Sequence, residues 1–271
     1  RVNRLTGIRV NQGSHIGIWS NGCYGSGKSH FLKYASYCLS QNKERCEMAF
    51  IRLIEATEEL MRHANGISKL EQEGVSVSEL KSLQKWYVSQ ADVEMVMFNI
   101  GDVHDVNADQ TTAFTTIFWN QFNAQRGYNS FNLALAQYLE KALDDNGKFQ
   151  EFKEYVKSKG YDWERNISRF AAGRLDLALQ MAKEVDPTLS TDVIRTRILN
   201  NEVNVSVEAF AAEMKEFIEN KHNRNFRILF FVDEVSQFIG EHRDLLLQLQ
   251  SLVKRLDEVC ESRCWIACTA Q

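Results

Sequence analysis

The chain has one proline, Pro187, in 271 residues and no Gly/Ser-rich or other low-complexity stretch, so nothing in it marks a flexible linker. No internal repeat is visible. No apolar run approaches the length of a membrane-crossing helix, and no secretory leader is seen. The first residue is Arg1 rather than methionine, and the last follows a strand that reads as buried, so a fragment of a larger protein is expected. The six cysteines (Cys23, Cys38, Cys46, Cys260, Cys264 and Cys268) lack the paired C-x-x-C spacing of zinc sites. Free thiols suit a reducing, cytoplasmic setting, and Cys264 and Cys268 read as small hydrophobes in a strand. The histidines form no H-E-x-x-H set, and Asp102, His104 and Asp105 read as a solvated loop rather than a metal cluster. A net charge of −4 gives no electrostatic footprint for nucleic acid, and the basic run 221–227 reads as a solvated loop. DNA contact is left to other parts of a larger protein.

Against these absences stands the string Gly22-Cys23-Tyr24-Gly25-Ser26-Gly27-Lys28-Ser29, a G-x-x-x-x-G-K-[ST] loop of Walker A type. It follows a short apolar run, His15 to Trp19, and precedes a helical pattern that begins at His30 and Phe31. Glycines let the backbone curl around a phosphate, so that successive N–H groups and the helix N-terminus face the anion. Residues 22–30 are the expected nucleotide-binding segment, with Lys28 on the β- and γ-phosphates and Ser29 on a phosphate-bound Mg²⁺. ATP is the expected nucleotide, because no N-K-x-D guanine-recognition string occurs.

Far downstream, Arg227 to Glu234 (RILFFVDE) reads as a buried parallel strand of Walker B type ending in two carboxylates. Ligands of open α/β sheets bind outside such strand tips. Asp233 is placed on the Mg²⁺ shell, through water, and Glu234 as the base that activates the attacking water. A third strand, Cys264 to Gln271, ends in a polar tip. In P-loop ATPases of the AAA+ type that position senses the γ-phosphate, which points to Thr269; the alternative is a threonine that merely ends a core strand. Asn99 ends another strand pattern, Val93 to Asn99. In AAA+ topology it would lie beside Glu234 and could hold that carboxylate away from water, or it could simply start a turn.

Between these motifs the pattern is helical. Phe31, Leu32, Ala35, Cys38 and Leu39 share a face, and the pattern stays helical from Glu47 to Val88. Ser76 with Glu79 reads as a capping box. Helical stripes recur at 114–122 and 135–143, and helices are expected at about 147–158, 163–184 and 206–220, the last capped by Ser206. A long helix carrying Leu245, Leu249, Leu252, Val253 and Leu256 precedes the last strand. Strands separated by helices imply an α/β fold: a mostly parallel P-loop NTPase sheet with flanking helices and a large helical insertion. One region is expected over 1–271, with insertions at about 43–90 and 100–222, far more than a single crossover needs.

Taken together, the phosphate loop running on into Ser29-His30-Phe31-Leu32-Lys33, the Phe98-Asn99-Ile100 strand end, the string Asp233-Glu234-Val235-Ser236-Gln237-Phe238-Ile239-Gly240 and the leucine-rich helix leading to Thr269-Ala270-Gln271 resemble one family. It is the large P-loop ATPase of BREX bacteriophage-exclusion systems and its Pgl-system relative. Ser236 stands where that family carries glycine. The resemblance implies an AAA+-like ATPase module of a much longer antiviral defence protein, assembling with its own copies and acting alongside a DNA methyltransferase and other BREX components. It also implies that the trans-acting arginine and the lid follow the segment where this chain stops, so Arg243, Arg255 and Arg263 read as surface charge. The expected activity is hydrolysis of ATP to ADP and phosphate, coupled to assembly or to work on DNA. Two other readings share the site: a low-turnover, nucleotide-dependent scaffold, and a replication-initiator or signalling-type P-loop switch.

Overall fold

The computed structural model describes residues 17–21, 27–62, 76–103 and 110–270. Strand β1 (Gly17–Asn21) precedes helices α1 (Lys28–Cys38), α2 (Lys43–Met61) and α3 (Val77–Gln90). Strand β2 (Asp92–Asn99) follows, with the single turn α4 (Ile100–Val103) at its tip. Next come α5 (Ala113–Gln125) and α6, which winds as α-helix over Leu133–Leu135, as π-helix over Ala136–Glu140 and as α-helix again over Lys141–Asp145. Helices α7 (Phe149–Ser158), α8 (Trp163–Gly173), α9 (Leu175–Val185), α10 (Thr191–Leu199) and α11 (Val207–Asn220) lead to strand β3 (Phe226–Asp233). Helices α12 (Val235–Ile239) and α13 (Arg243–Cys260) then precede strand β4 (Cys264–Ala270). The described residues fall into two compact units, one combining those up to 111 with those from 210 onward, the other spanning 112–209.

The first unit is built on a parallel sheet of order β1-β4-β3-β2. The interior of β3, Ile228 to Val232, is buried throughout, and β4 is buried along its whole length, as strands covered on both faces must be. Register pairs Asn99 with Asp233, Val232 with Cys268 and Ser20 with Thr269, so all four C-terminal tips emerge at one edge of the sheet. Helix α13 buries Leu245, Leu249, Leu252, Leu256 and Cys260, a stripe at three- and four-residue spacing. Ser76 caps α3, its Oγ accepting the Glu79 N–H at 3.5 Å, and Tyr87 Oη donates to the Leu39 carbonyl at 2.6 Å.

The second unit is helical throughout and closes around Leu135, Leu139, Leu143, Phe152, Trp163 and Phe170. Trp163 stacks on Phe170 with ring centroids 5.2 Å apart and meets Phe152 edge-on at 4.8 Å. Two helices stand where one is expected at 163–184. Helix α8 ends at Gly173, and Arg174, with φ −134°, leaves helical geometry before α9 begins. Helix α10 is absent from the sequence reading because only Ile194 and Ile198 are buried on it, too sparse a stripe to stand out.

Glu140 lies fully buried in this core, in the π-helical stretch of α6. Its carboxylate accepts the Asn129 N–H at 2.6 Å and the Trp163 Nε1–H at 2.7 Å. Burial pushes the carboxyl up to about 7, against the opposing pull of those two hydrogen bonds and of Lys153 and Arg126. Its pKa is therefore higher folded than unfolded, so its stabilising contribution is full below about pH 4.5 and is lost as pH rises through about 7. Glu140→Gln should lower stability by about 1–3 kcal/mol, because one of the two donors then faces an amide N–H instead of an acceptor. It should also flatten the decline in melting temperature between pH 5 and 8. Melting curves of both proteins across that range check this; an undiminished decline in the variant assigns it to another group.

Candidate functional site

The residues concerned lie at the start of α1, which follows β1 in the chain, and at the C-terminal tips of β2, β3 and β4. Lys28 opens α1, preceded by Gly27 at φ 80°, a left-handed conformation that glycine adopts without strain. Gly27 O accepts the Phe31 N–H at 2.8 Å, closing the first helical turn. Lys28 is half-buried, whereas Ser29 and His30 are exposed. The N–H groups of Lys28, Ser29 and His30 precede that first helical bond and point out of the helix N-terminus. Gly22, Cys23, Tyr24, Gly25 and Ser26 lie outside the described residues, as do Gln271 and, of the Asp102–His104–Asp105 trio, His104 and Asp105.

At the tip of β3 the chain turns sharply. Glu234, the residue after the strand, sits at φ 60°, ψ 28° and caps α12. That left-handed geometry costs about 1–2 kcal/mol in a residue bearing a Cβ. Side chains from both neighbouring strands hold it. On the β4 side, the Glu234 N–H is shared between Thr269 Oγ1 at 3.0 Å and Asp233 Oδ1 at 3.1 Å. The Thr269 hydroxyl donates in turn to Asp233 Oδ1. On the β2 side, Asn99 Nδ2 donates to Glu234 Oε2 at 2.8 Å, while Asn99 Oδ1 accepts the Gly101 N–H at 2.9 Å. Both ends of the Asn99 amide are thus engaged, which fixes its orientation. Asn99, Asp233, Glu234 and Thr269 form one connected hydrogen-bond network across three adjacent strand tips.

This is an α/β sheet with a positive helix terminus and two carboxylates at the C-terminal edge of its strands, an arrangement suited to a phosphate ester and its counter-ion. The KAP family P-loop domain matches residues 8–260. The chain belongs to that family. No solved structure matches it. Membership of the KAP family makes the chain a P-loop NTPase domain and a nucleotide-binding module. Among the described residues, no helix of this KAP domain is long and apolar enough to cross a membrane.

Other groups in the KAP domain have different environments. Cys38, Cys46, Cys260, Cys264 and Cys268 are free and buried, and burial pushes the thiols of Cys38, Cys260 and Cys268 up to about 12, which leaves them protonated and unreactive. Arg243 is exposed, and Arg255 pairs with Glu258 on its own helix at 3.4 Å. An apolar cavity of about 570 Å³ lies between α13 and the β1–β4 face, lined by Trp19, Leu249 and Val253, and none of the four network residues lines it. The sequence points to Thr269 and Asn99 as single polar tips. What it does not reveal is that the Thr269 hydroxyl is shared between Asp233 and the Glu234 backbone, because that depends on register.

Proposed function

We propose that this KAP domain binds and hydrolyses ATP with Mg²⁺, and that Glu234 is its catalytic base. The observation that carries this reading is the Asn99–Glu234 hydrogen bond beside Asp233. It supplies a carboxylate at the strand tip, held by a partner that can let it go, next to a second carboxylate suited to a metal. The donor set fits Mg²⁺, since the Ser29 hydroxyl and the Asp233 carboxylate are hard oxygen ligands of the kind that ion takes while keeping several waters. When bound, the ion neutralises charge on the β- and γ-phosphates. Lys28 adds a point charge at the same phosphates, and the first-turn N–H groups of α1 donate to them. Glu234 accepts the proton of the water that attacks the γ-phosphorus as the bond to the bridging oxygen breaks. Held by Asn99, the carboxylate is kept from that water, so basal turnover is slow.

Asn99→Ala should therefore raise basal hydrolysis about three- to tenfold with little change in ATP affinity, since freeing the carboxylate removes one charge-assisted hydrogen bond. Phosphate release measured against nucleotide concentration checks this. Unchanged or lower turnover would make Asn99 a turn former only.

The wider proposal places the domain in a BREX-type phage-defence ATPase in the cytoplasm, acting with a DNA methyltransferase and self-associating through this region. It is supported by the Asp233–Gly240 and Thr269–Gln271 strings rather than by any contact in the structure. Sedimentation of the chain with and without Mg²⁺ and ATP tests the self-association, and a monomer under both conditions contradicts it.

A further inference from the structure

As a polar strand tip Thr269 could sense the γ-phosphate or merely end a core strand, but in the structure its hydroxyl is already committed. Thr269 is 1% exposed, and its only proton goes to Asp233 Oδ1 while a lone pair takes the Glu234 N–H. A threonine hydroxyl has one proton, so it cannot donate to a phosphate and to Asp233 at once. Among the described residues, two bonds reach the Asp233 side chain, from the Thr269 hydroxyl and from the Glu234 N–H, and both fall on Oδ1. The same hydroxyl accepts the Glu234 N–H and so helps hold Glu234 in its left-handed geometry.

We infer that Thr269 is a positioning residue, which clamps the Asp233 carboxylate through Oδ1 so that Oδ2 is presented to the hydrated Mg²⁺, and which sets the Asp233–Glu234 turn at the same time. This rests on the nucleotide-binding reading above but assigns Thr269 a different partner: the metal-side carboxylate in place of the γ-phosphate. The distinction matters because a clamp acts in every nucleotide state that includes Mg²⁺, whereas a γ-phosphate sensor acts only with a triphosphate. Partners that orient a metal-binding group from behind commonly change metal affinity about 10- to 100-fold when removed.

ADP separates the two roles, because it binds Mg²⁺ and has no γ-phosphate. Fluorescent mant-ADP is titrated into the wild-type chain, Thr269→Val and Thr269→Ser, each with and without Mg²⁺. Valine keeps the shape and loses the hydroxyl; serine keeps the hydroxyl and loses the methyl group. The expected result is that Mg²⁺ tightens mant-ADP binding to the wild type and to Thr269→Ser. In Thr269→Val the gain should shrink about tenfold, with Mg²⁺-free affinity equal in all three. A full Mg²⁺ gain in Thr269→Val overturns the clamp. So does an equal loss of Mg²⁺-free affinity, which marks general damage. Should Thr269→Val fail to fold, Thr269→Ala, which also removes the hydroxyl, takes its place, and a full Mg²⁺ gain in that variant overturns the inference. If the wild type binds no mant-ADP, the nucleotide-binding reading fails and the clamp with it, an outcome distinct from a change confined to the variants.

Discussion

Glu234→Gln is expected to bind ATP within about threefold of the wild type and to hydrolyse it about 10²–10⁴-fold more slowly, the usual contribution of a positioned general base. Amide and carboxylate are close in size. The backbone restraints on residue 234, its N–H to Thr269 and Asp233, do not involve the side chain and survive the change. The glutamine oxygen can still accept the Asn99 Nδ2–H, so the turn keeps its shape. What disappears is the site that takes the proton from water. The variant should therefore accumulate the ATP-bound state and any assembly that depends on it. Single-turnover hydrolysis and nucleotide titration, measured together, distinguish this from lost binding. Wild-type turnover would mean that another group activates the water.

Lys28→Ala should act one step earlier. A charge-assisted hydrogen bond to phosphate contributes about 1.5–3 kcal/mol, so its loss weakens ATP binding about 10- to 150-fold. The fold should persist. Helix α1 buries Leu32, Ser36 and Cys38 against the unit, while Lys28 sits half-exposed in the first turn, and alanine is a better helix former than lysine. Unchanged melting temperature with lost nucleotide affinity is the expected pair of results. Unchanged affinity would remove Lys28 from the site.

Much of this was legible in the sequence because its signals are local. The continuous apolar run before Asp233 specifies a strand buried on both faces, and the leucine spacing of α13 specifies one helical face. Ser76 and Ser206 announce helix starts because a side-chain oxygen there meets an N–H three residues on, at Glu79 and Ala209. Asn99 and Glu234 are 135 residues apart, and only a topology that sets β2 beside β3 brings them into hydrogen-bond reach. The commitments of the Thr269 hydroxyl were not legible, because they depend on a left-handed turn at Glu234 that no glycine signals. The split of 163–184 at Arg174 and the burial of Glu140 are not legible for a similar reason: each depends on what packs around it in the helical unit.

The central claim is that ATP lies with its γ-phosphate between the first turn of α1 and the tips of β3 and β4. A structure of the chain with Mg²⁺ and a non-hydrolysable ATP analogue tests it most directly. The account predicts Lys28 Nζ on the β- and γ-phosphates, Ser29 Oγ on the metal, Asp233 Oδ2 on a metal-bound water, and Glu234 facing the γ-phosphate. An analogue seated in the apolar cavity against α13, or bound with Asp233 and Glu234 turned away from its phosphates, would contradict it.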